Sequence, residues 1–287
     1  MKINELYHTI IYRVSPTLAV VLSYKKHHGK LFCVRKIKKD YDLAQIWITK
    51  MVNGYFLKYS NLADKFAVRK FIEEKGLGNI LIPLIGCYSN ANEIDFKKLP
   101  SQFVLKLNTD AGMNIVCKDK STLDIHKTIE TLNNWLKSPQ AVIEKHYNLI
   151  SRKIICESYI GKNDKPPVDY KFICVRGEPK CILACGDREN GNNFAVYDTN
   201  WNWLPDWRKD PPEKQVVVNK PENLDEMINI ARVLSSDIDL VRVDLYDVDG
   251  KIYFGEMTLT PSGAVFHGWT KKALNILGGY YHNCIEK

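Results

Sequence analysis

Apolar and polar positions alternate most regularly between Val241 and Thr258, where two runs rich in β-branched and aromatic residues flank Val248, Asp249 and Gly250. A period of two broken by a glycine predicts a β-hairpin. A three-residue turn with Gly250 in the left-handed bulge position sets Arg242 opposite Glu256 and Asp244 opposite Phe254. Arg242, Asp244, Glu256 and Thr258 then share one face, and Val241, Val243, Leu245 and Met257 the other. A two-residue Asp-Gly turn would instead split the carboxylates between the two faces. Two carboxylates and a guanidinium on one face can hold a hard cation against an anion: Asp244 and Glu256 offer oxygens to Mg²⁺, and Arg242 a planar fork to phosphate. A solvated sheet face with a cross-strand Arg–Glu pair is the alternative that the pattern leaves open.

Elsewhere the spacing of apolar residues predicts helices over 14–24, 42–58, 65–75 with Asp64 as N-cap, 122–136 and 221–234. Strands are predicted to begin at 80–83 and to cover 103–108, 115–117 and 153–160, with a hairpin over 169–185 that turns at 176–179. The stretch 186–212, rich in Asn, Asp, Trp and Gly, reads as a long loop. Several strands carry an isolated charge. Lys106 sits in an apolar run, where a lysine costs desolvation free energy unless an anion meets it. Glu157 ends another apolar run, where it can accept from an amine or hydroxyl of a planar base or simply face water. Asp169 and Lys171 share a face of the 169–185 hairpin. The turn at 108–114 can lay backbone N–H groups over phosphates or serve as an ordinary hairpin turn.

At 287 residues, with 45% hydrophobic and 26% charged positions, the chain fits one large globular domain or two lobes sharing a cleft. A formal charge of +8 favours anionic partners. Residues 10–39 gather Lys25, Lys26, His27, His28, Lys30, Arg35, Lys36, Lys38 and Lys39 among apolar positions, a pattern of either a surface that touches a membrane or acidic glycan or a solvated helical face. The eight cysteines form no CxxC pair and lie mostly in apolar runs, as reduced thiols of a cytosolic protein do. The apolar stretch 14–24 is too short to span a bilayer and lacks the features of a secretion signal.

Taken in order, Ala63-Asp-Lys-Phe-Ala-Val-Arg69, Leu99-Pro-Ser-Gln-Phe-Val-Leu-Lys106, Asp169-Tyr-Lys-Phe172 with Gly177-Glu-Pro-Lys180, Tyr197-Asp-Thr-Asn-Trp201, and Arg242-Val-Asp-Leu-Tyr246 with Phe254-Gly-Glu256 resemble the TupA-like ATP-grasp proteins of bacterial surface-polysaccharide and teichuronopeptide gene sets. The resemblance implies an α+β (α/β) ATP-grasp fold: an N-terminal helical segment (1–62) and two α+β subdomains (63–150 and 151–287) sandwiching a nucleotide. It makes Lys65 and Lys106 the ATP-contacting lysines, and Glu157, Ser158, Tyr159 and Ile160 the hinge that reads adenine. Asp169 and Lys171 fall on the ribose and phosphate side. Asp244 and Glu256 become Mg²⁺ ligands, with Thr258 where most of the superfamily places Asn, and Arg242 steadies the transferring phosphate. Arg188 and the loop 190–200 are candidates for substrate contact. The implied reaction joins a carboxylate to an amine with ATP and Mg²⁺ through an acyl phosphate. The implied substrates are a uronic acid of a surface-glycan precursor and an amino acid or small amine. A phosphotransferase on the same fold, a glycosyltransferase and a basic nucleic-acid-binding protein are the competing readings, the last without any recognition signature in the chain.

Overall fold

Nine strands form two antiparallel sheets in the computed structural model, which describes residues 14–109, 112–139, 141–162, 165–186, 193–215 and 217–283. The first sheet has the order β1-β4-β2-β3, from Leu84–Tyr88 (β1), Phe103–Leu107 (β2), Asn114–Cys117 (β3) and Ile154–Ser158 (β4). The second has the order β7-β6-β5-β8-β9, from Asp169–Val175 (β5), Glu178–Gly186 (β6), Asn193–Tyr197 (β7), Leu240–Val248 (β8) and Lys251–Thr258 (β9). The helices are Pro16–His28 (α1), Leu43–Val52 (α2), Ser60–Ala63 (α3), Val68–Glu74 (α4), Ile125–Leu136 (α5), Leu224–Ser235 (α6) and Lys271–Asn283 (α7).

The helix ends follow local chemistry. Ser15 caps α1 with Pro16 at its first turn, and Gly29 closes it at φ 80°. Asp42 and Gln45 cap α2 reciprocally. Two cores result. The larger joins α1, α2, α6 and α7 to the second sheet, around the fully buried Trp47, whose Nε1 donates to the Leu259 carbonyl at 2.6 Å. The smaller lies between the first sheet and α5. Each sheet thus buries one face in its own core and leaves the other for the space between them.

The structure departs from the sequence reading at several points. The hairpin β8–β9 turns on two residues, Asp249 and Gly250, both at positive φ (53° and 73°), not on three. That turn alone would have separated the carboxylates, but a bulge at Gly255 adds one unpaired residue and sets Asp244 directly opposite Glu256, while Arg242 pairs with Thr258 instead. The hairpin β5–β6 likewise has a two-residue turn, Arg176-Gly177. Within the stretch read as a loop, 193–197 is an edge strand that pairs antiparallel with β6 from Asn193 opposite Gly186 to Tyr197 opposite Ile182. Strand β1 starts at Leu84 rather than at 80, and α4 starts at Val68 because the Asp64 carboxylate accepts from the Phe66 and Ala67 amides ahead of the helix. Strand β4 pairs with β1 and β2, so Glu157 belongs to the sheet of Lys106 although it follows the boundary drawn at residue 150.

Candidate active site

The cleft-facing side of the second sheet gathers its charges by register. Lys171 on β5 pairs with Asp244 on β8, which pairs with Glu256 on β9, so all three project to one side together with Asp169, Arg242, Tyr246 and Thr258. Arg242 grips Asp244 through two bonds of 2.6 Å and reaches Glu256 Oε1 at 2.8 Å. Lys171 Nζ lies 2.7 Å from Asp244 Oδ2 and also contacts Asp169. The Thr258 hydroxyl donates to Glu256 Oε1 at 2.9 Å.

The opposite wall comes from the first half of the chain. Lys65, between α3 and α4, places Nζ 3.4 Å from Glu256 Oε2 of the second sheet. Its position is fixed by Asn108, buried at the end of β2. The Asn108 carbonyl accepts from the Lys65 amide (2.8 Å), and its side-chain amide donates to Asp64 (2.9 Å) and to the Ser151 carbonyl (3.0 Å). Its side-chain oxygen accepts from the Lys153 amide at 2.7 Å. This hub was not foreseen, although a buried Asn at a strand end is a signal that a backbone junction needs several partners at once. Lys106, on β2, is held at 2.6 Å by Glu157, which also lies 3.5 Å from Arg69.

Between the walls lies a cleft of about 470 Å³ lined by Lys65, Lys106, Asp169, Lys171, Arg242, Asp244 and Glu256, with Met113, Asn114, Phe194 and Tyr246 completing it. Seven residues singled out by sequence therefore meet in one place. Glu157 does not line the cleft: its carboxylate stands behind Lys106. Ser158, whose amide donates to the Pro83 carbonyl at 3.0 Å, and Tyr159 and Ile160 are also absent from the lining, and Arg188 lies outside the described residues. Tyr246 was missed although it shares the period-two face of Arg242 and Asp244. Phe194 falls within the stretch 190–200 marked for substrate contact, on a strand where a loop was expected.

The electrostatics are those of a self-neutralised ionic wall. Burial would raise the Glu256 carboxyl, but Lys65, Arg242 and Lys171 hold it well below the usual carboxylate range. Burial would lower the Lys171 ammonium and the Arg242 guanidinium, and the Asp244 carboxylate beside them more than reverses this for both. The donor set suits a hard cation, since Asp244 and Glu256 oppose each other on adjacent strands with oxygen ligands. No cluster of three or more His, Cys, Asp or Glu side chains able to hold a metal occurs among the described residues. A metal here would complete its shell with phosphate oxygens and water, as Mg²⁺ does and a fully protein-caged ion does not.

Two sheets facing one cleft, with the strand lysine Lys106 and the loop lysine Lys65 on one side and an arginine between carboxylates on the other, fit the ATP-grasp class of ligases. The chain belongs to the TupA-like ATP-grasp family, whose sequence model matches residues 45–282. A search of curated proteins returns no significant match. Among solved structures, an L-amino acid ligase from Bacillus licheniformis is similar at 13% identity and a TM-score of 0.49, over 74% of this chain and 46% of that one. A D-alanine–D-alanine ligase from Bacillus anthracis is similar at 17% identity and 0.49, over 80% of this chain and 67% of that one. The chain thus spans about half the length of the first of these and two thirds of the second.

Proposed function

We propose that the protein uses ATP to join a carboxylate to an amine. The observation that carries this reading is the Lys65–Glu256–Arg242–Asp244 ion-pair chain, which joins the segment between α3 and α4, tied to the end of β2 through Asn108, to the second sheet. In the absence of substrate the cations and carboxylates are one another's counter-ions. A nucleotide triphosphate and a divalent cation can exchange these partners without leaving a buried charge unpaired. Mg²⁺, when bound, offsets phosphate charge and is held by Asp244 and Glu256, with Thr258 orienting Glu256 through its hydroxyl. Arg242 presents its planar fork to the transferring phosphoryl group, and Lys65, Lys106 and Lys171 contact the phosphates. Glu157 holds Lys106 in position, Asp169 does the same for Lys171, and the backbone of 158–160 serves the adenine side.

The γ-phosphoryl group passes to a carboxylate oxygen with release of ADP. An amine then attacks the acyl phosphate, an amide forms and inorganic phosphate leaves. Family membership supports a uronic acid of a surface-glycan precursor as the carboxylate and an amino acid or small amine as its partner, with the reaction in the cytoplasm; Arg188 is our candidate for acceptor contact. No helix among the described residues is long and apolar enough to cross a membrane. The basic residues of 10–39 support a peripheral contact with an anionic lipid or lipid-linked glycan. The test is ADP release by the purified protein with uronic acids crossed against amino acids and amines. ADP release that needs both substrates supports the ligase, and release with a hydroxyl acceptor alone points to a phosphotransferase.

A further inference from the structure

The lysines Lys65, Lys106 and Lys171 that line the cleft are each paired with a carboxylate that has an arginine as a further partner. Lys171 shares Asp244 with Arg242, and Lys65 shares Glu256 with the same Arg242. On the first sheet Lys106 shares Glu157 with Arg69. Lys106 Nζ lies 2.6 Å from one carboxylate oxygen, and Arg69 Nη1 lies 3.5 Å from the other. Arg242 lines the cleft and can meet a ligand itself. Arg69 does not line it, so what it contributes there passes through Glu157.

The backbone fixes Arg69 in this position. It is the second residue of α4, four residues after Lys65, whose amide is tied to Asn108 at the end of β2. Its Nη1 donates to the Ile82 carbonyl at 2.9 Å. The next carbonyl, of Pro83, accepts from the Ser158 amide at 3.0 Å, and Leu84 then pairs with Glu157. Register puts Val104, Lys106, Ile155 and Glu157 on one face of the first sheet, with Lys106 and Glu157 as diagonal neighbours. Leu105, Leu107, Ile154 and Cys156 enter the core behind them. Glu157 is buried, so its charge depends on these cations and not on water.

A buried carboxylate with a single counter-ion holds that cation back. If Lys106 turned to a phosphate, such a Glu157 would be stranded without a partner, and an uncompensated buried charge is strongly unfavourable. Arg69 removes that obstacle, because Glu157 keeps a cation whether or not Lys106 stays beside it. We propose that Arg69 is a positioning residue that holds the charge of Glu157 and so releases Lys106 to an incoming phosphate. The role lies beyond the direct contacts of the ligase reading and rests on that reading only for the identity of the anion.

The test uses Arg69→Gln, which removes the charge but keeps an N–H donor for the Ile82 carbonyl. In the full-length protein without nucleotide, acetylation of Lys106 by acetic anhydride is followed by peptide mass spectrometry. It should fall at least about threefold in Arg69→Gln, because Glu157 then holds Lys106 more firmly. Binding of adenylyl imidodiphosphate with Mg²⁺, measured by calorimetry, should weaken about tenfold, and Arg69→Lys, which restores the charge, should recover most of both losses. In a Glu157→Gln background the same Arg69→Gln change should alter affinity by less than about twofold. A tenfold loss that persists in that background assigns the effect to the Ile82 contact and overturns the proposal, as does unchanged acetylation of Lys106. Wild-type protein that binds no nucleotide removes the ATP reading, and the acetylation rates still decide whether Arg69 governs Lys106.

Discussion

The hairpins β5–β6 and β8–β9 are built on one plan but do different things. Each turns on two residues at positive φ, Arg176-Gly177 and Asp249-Gly250, and each carries one bulge. In β5–β6 the bulge falls at Lys180, beside the turn, and the strands beyond it set Lys171 against Leu183 and Asp169 against Cys185. In β8–β9 it falls at Gly255, in mid-strand, and sets Asp244 against Glu256. Where the unpaired residue sits decides which side chains share a face, because a slip of one residue inverts the face of everything beyond it. One hairpin lends two charges to the wall, and the other supplies its centre.

Breaking the centre should have the largest effect. Arg242→Ala leaves Asp244 and Glu256 without their shared partner. With Lys171 and Lys65 still present the loss should be about 3 kcal/mol, at the low end for a broken buried pair, read as the urea midpoint at constant m. An unchanged midpoint would show that the wall is no structural unit. Asp244→Asn and Glu256→Gln should instead fold normally and lower ADP release by about a hundredfold or more, close to 3 kcal/mol of barrier. Turnover near wild type at ordinary Mg²⁺ would count against both as metal ligands.

Gly255→Ala sharpens the contrast of bulges. A Cβ there would stand 3.0 Å from the Tyr246 ring and 3.1 Å from the Asp244 carbonyl, so crowding should cost about 1–3 kcal/mol and reduce turnover. Lys180→Ala, in the other bulge, should stay within about 0.5 kcal/mol and leave turnover alone. The turns should differ least. Gly177→Ala and Gly250→Ala both force alanine to positive φ, at roughly 1–2 kcal/mol. Gly177→Ala should be the worse, since its Cβ would lie 3.2 Å from Ser236 backbone atoms, against 3.5 Å from the flexible Glu222 carboxylate at Gly250. Thermal melts of the pair decide the order.

A separate effect of pH belongs to the larger core. Buried His146 is pushed down to about 4 by desolvation, so it folds neutral while the unfolded chain binds a proton near pH 6.5. Its contribution is intact above about pH 6.5 and is lost as the pH falls from there toward about 4. His146→Phe should flatten that part of the stability profile in denaturant titrations, and an unaltered slope would assign the acid sensitivity elsewhere.

Local pattern alone determined much of this protein. Period two gave the hairpin 241–258 and its charged face, an isolated charge in an apolar strand marked Lys106, and helical spacing of apolar residues marked α2. These depend on residues adjacent in the chain, whose sterics and solvation act whatever the rest of the molecule does. Tertiary structure decided what depends on distant partners. It placed the bulge at Gly255, which needs β8 to count against. It put β4 beside β2, so that Glu157 backs Lys106, and made Asn108 the hub that holds Lys65. It also brought Lys65 to Glu256 and Arg69 to Glu157. Such pairings are chosen by which apolar faces must be buried together, and no window of sequence contains both sides of that choice.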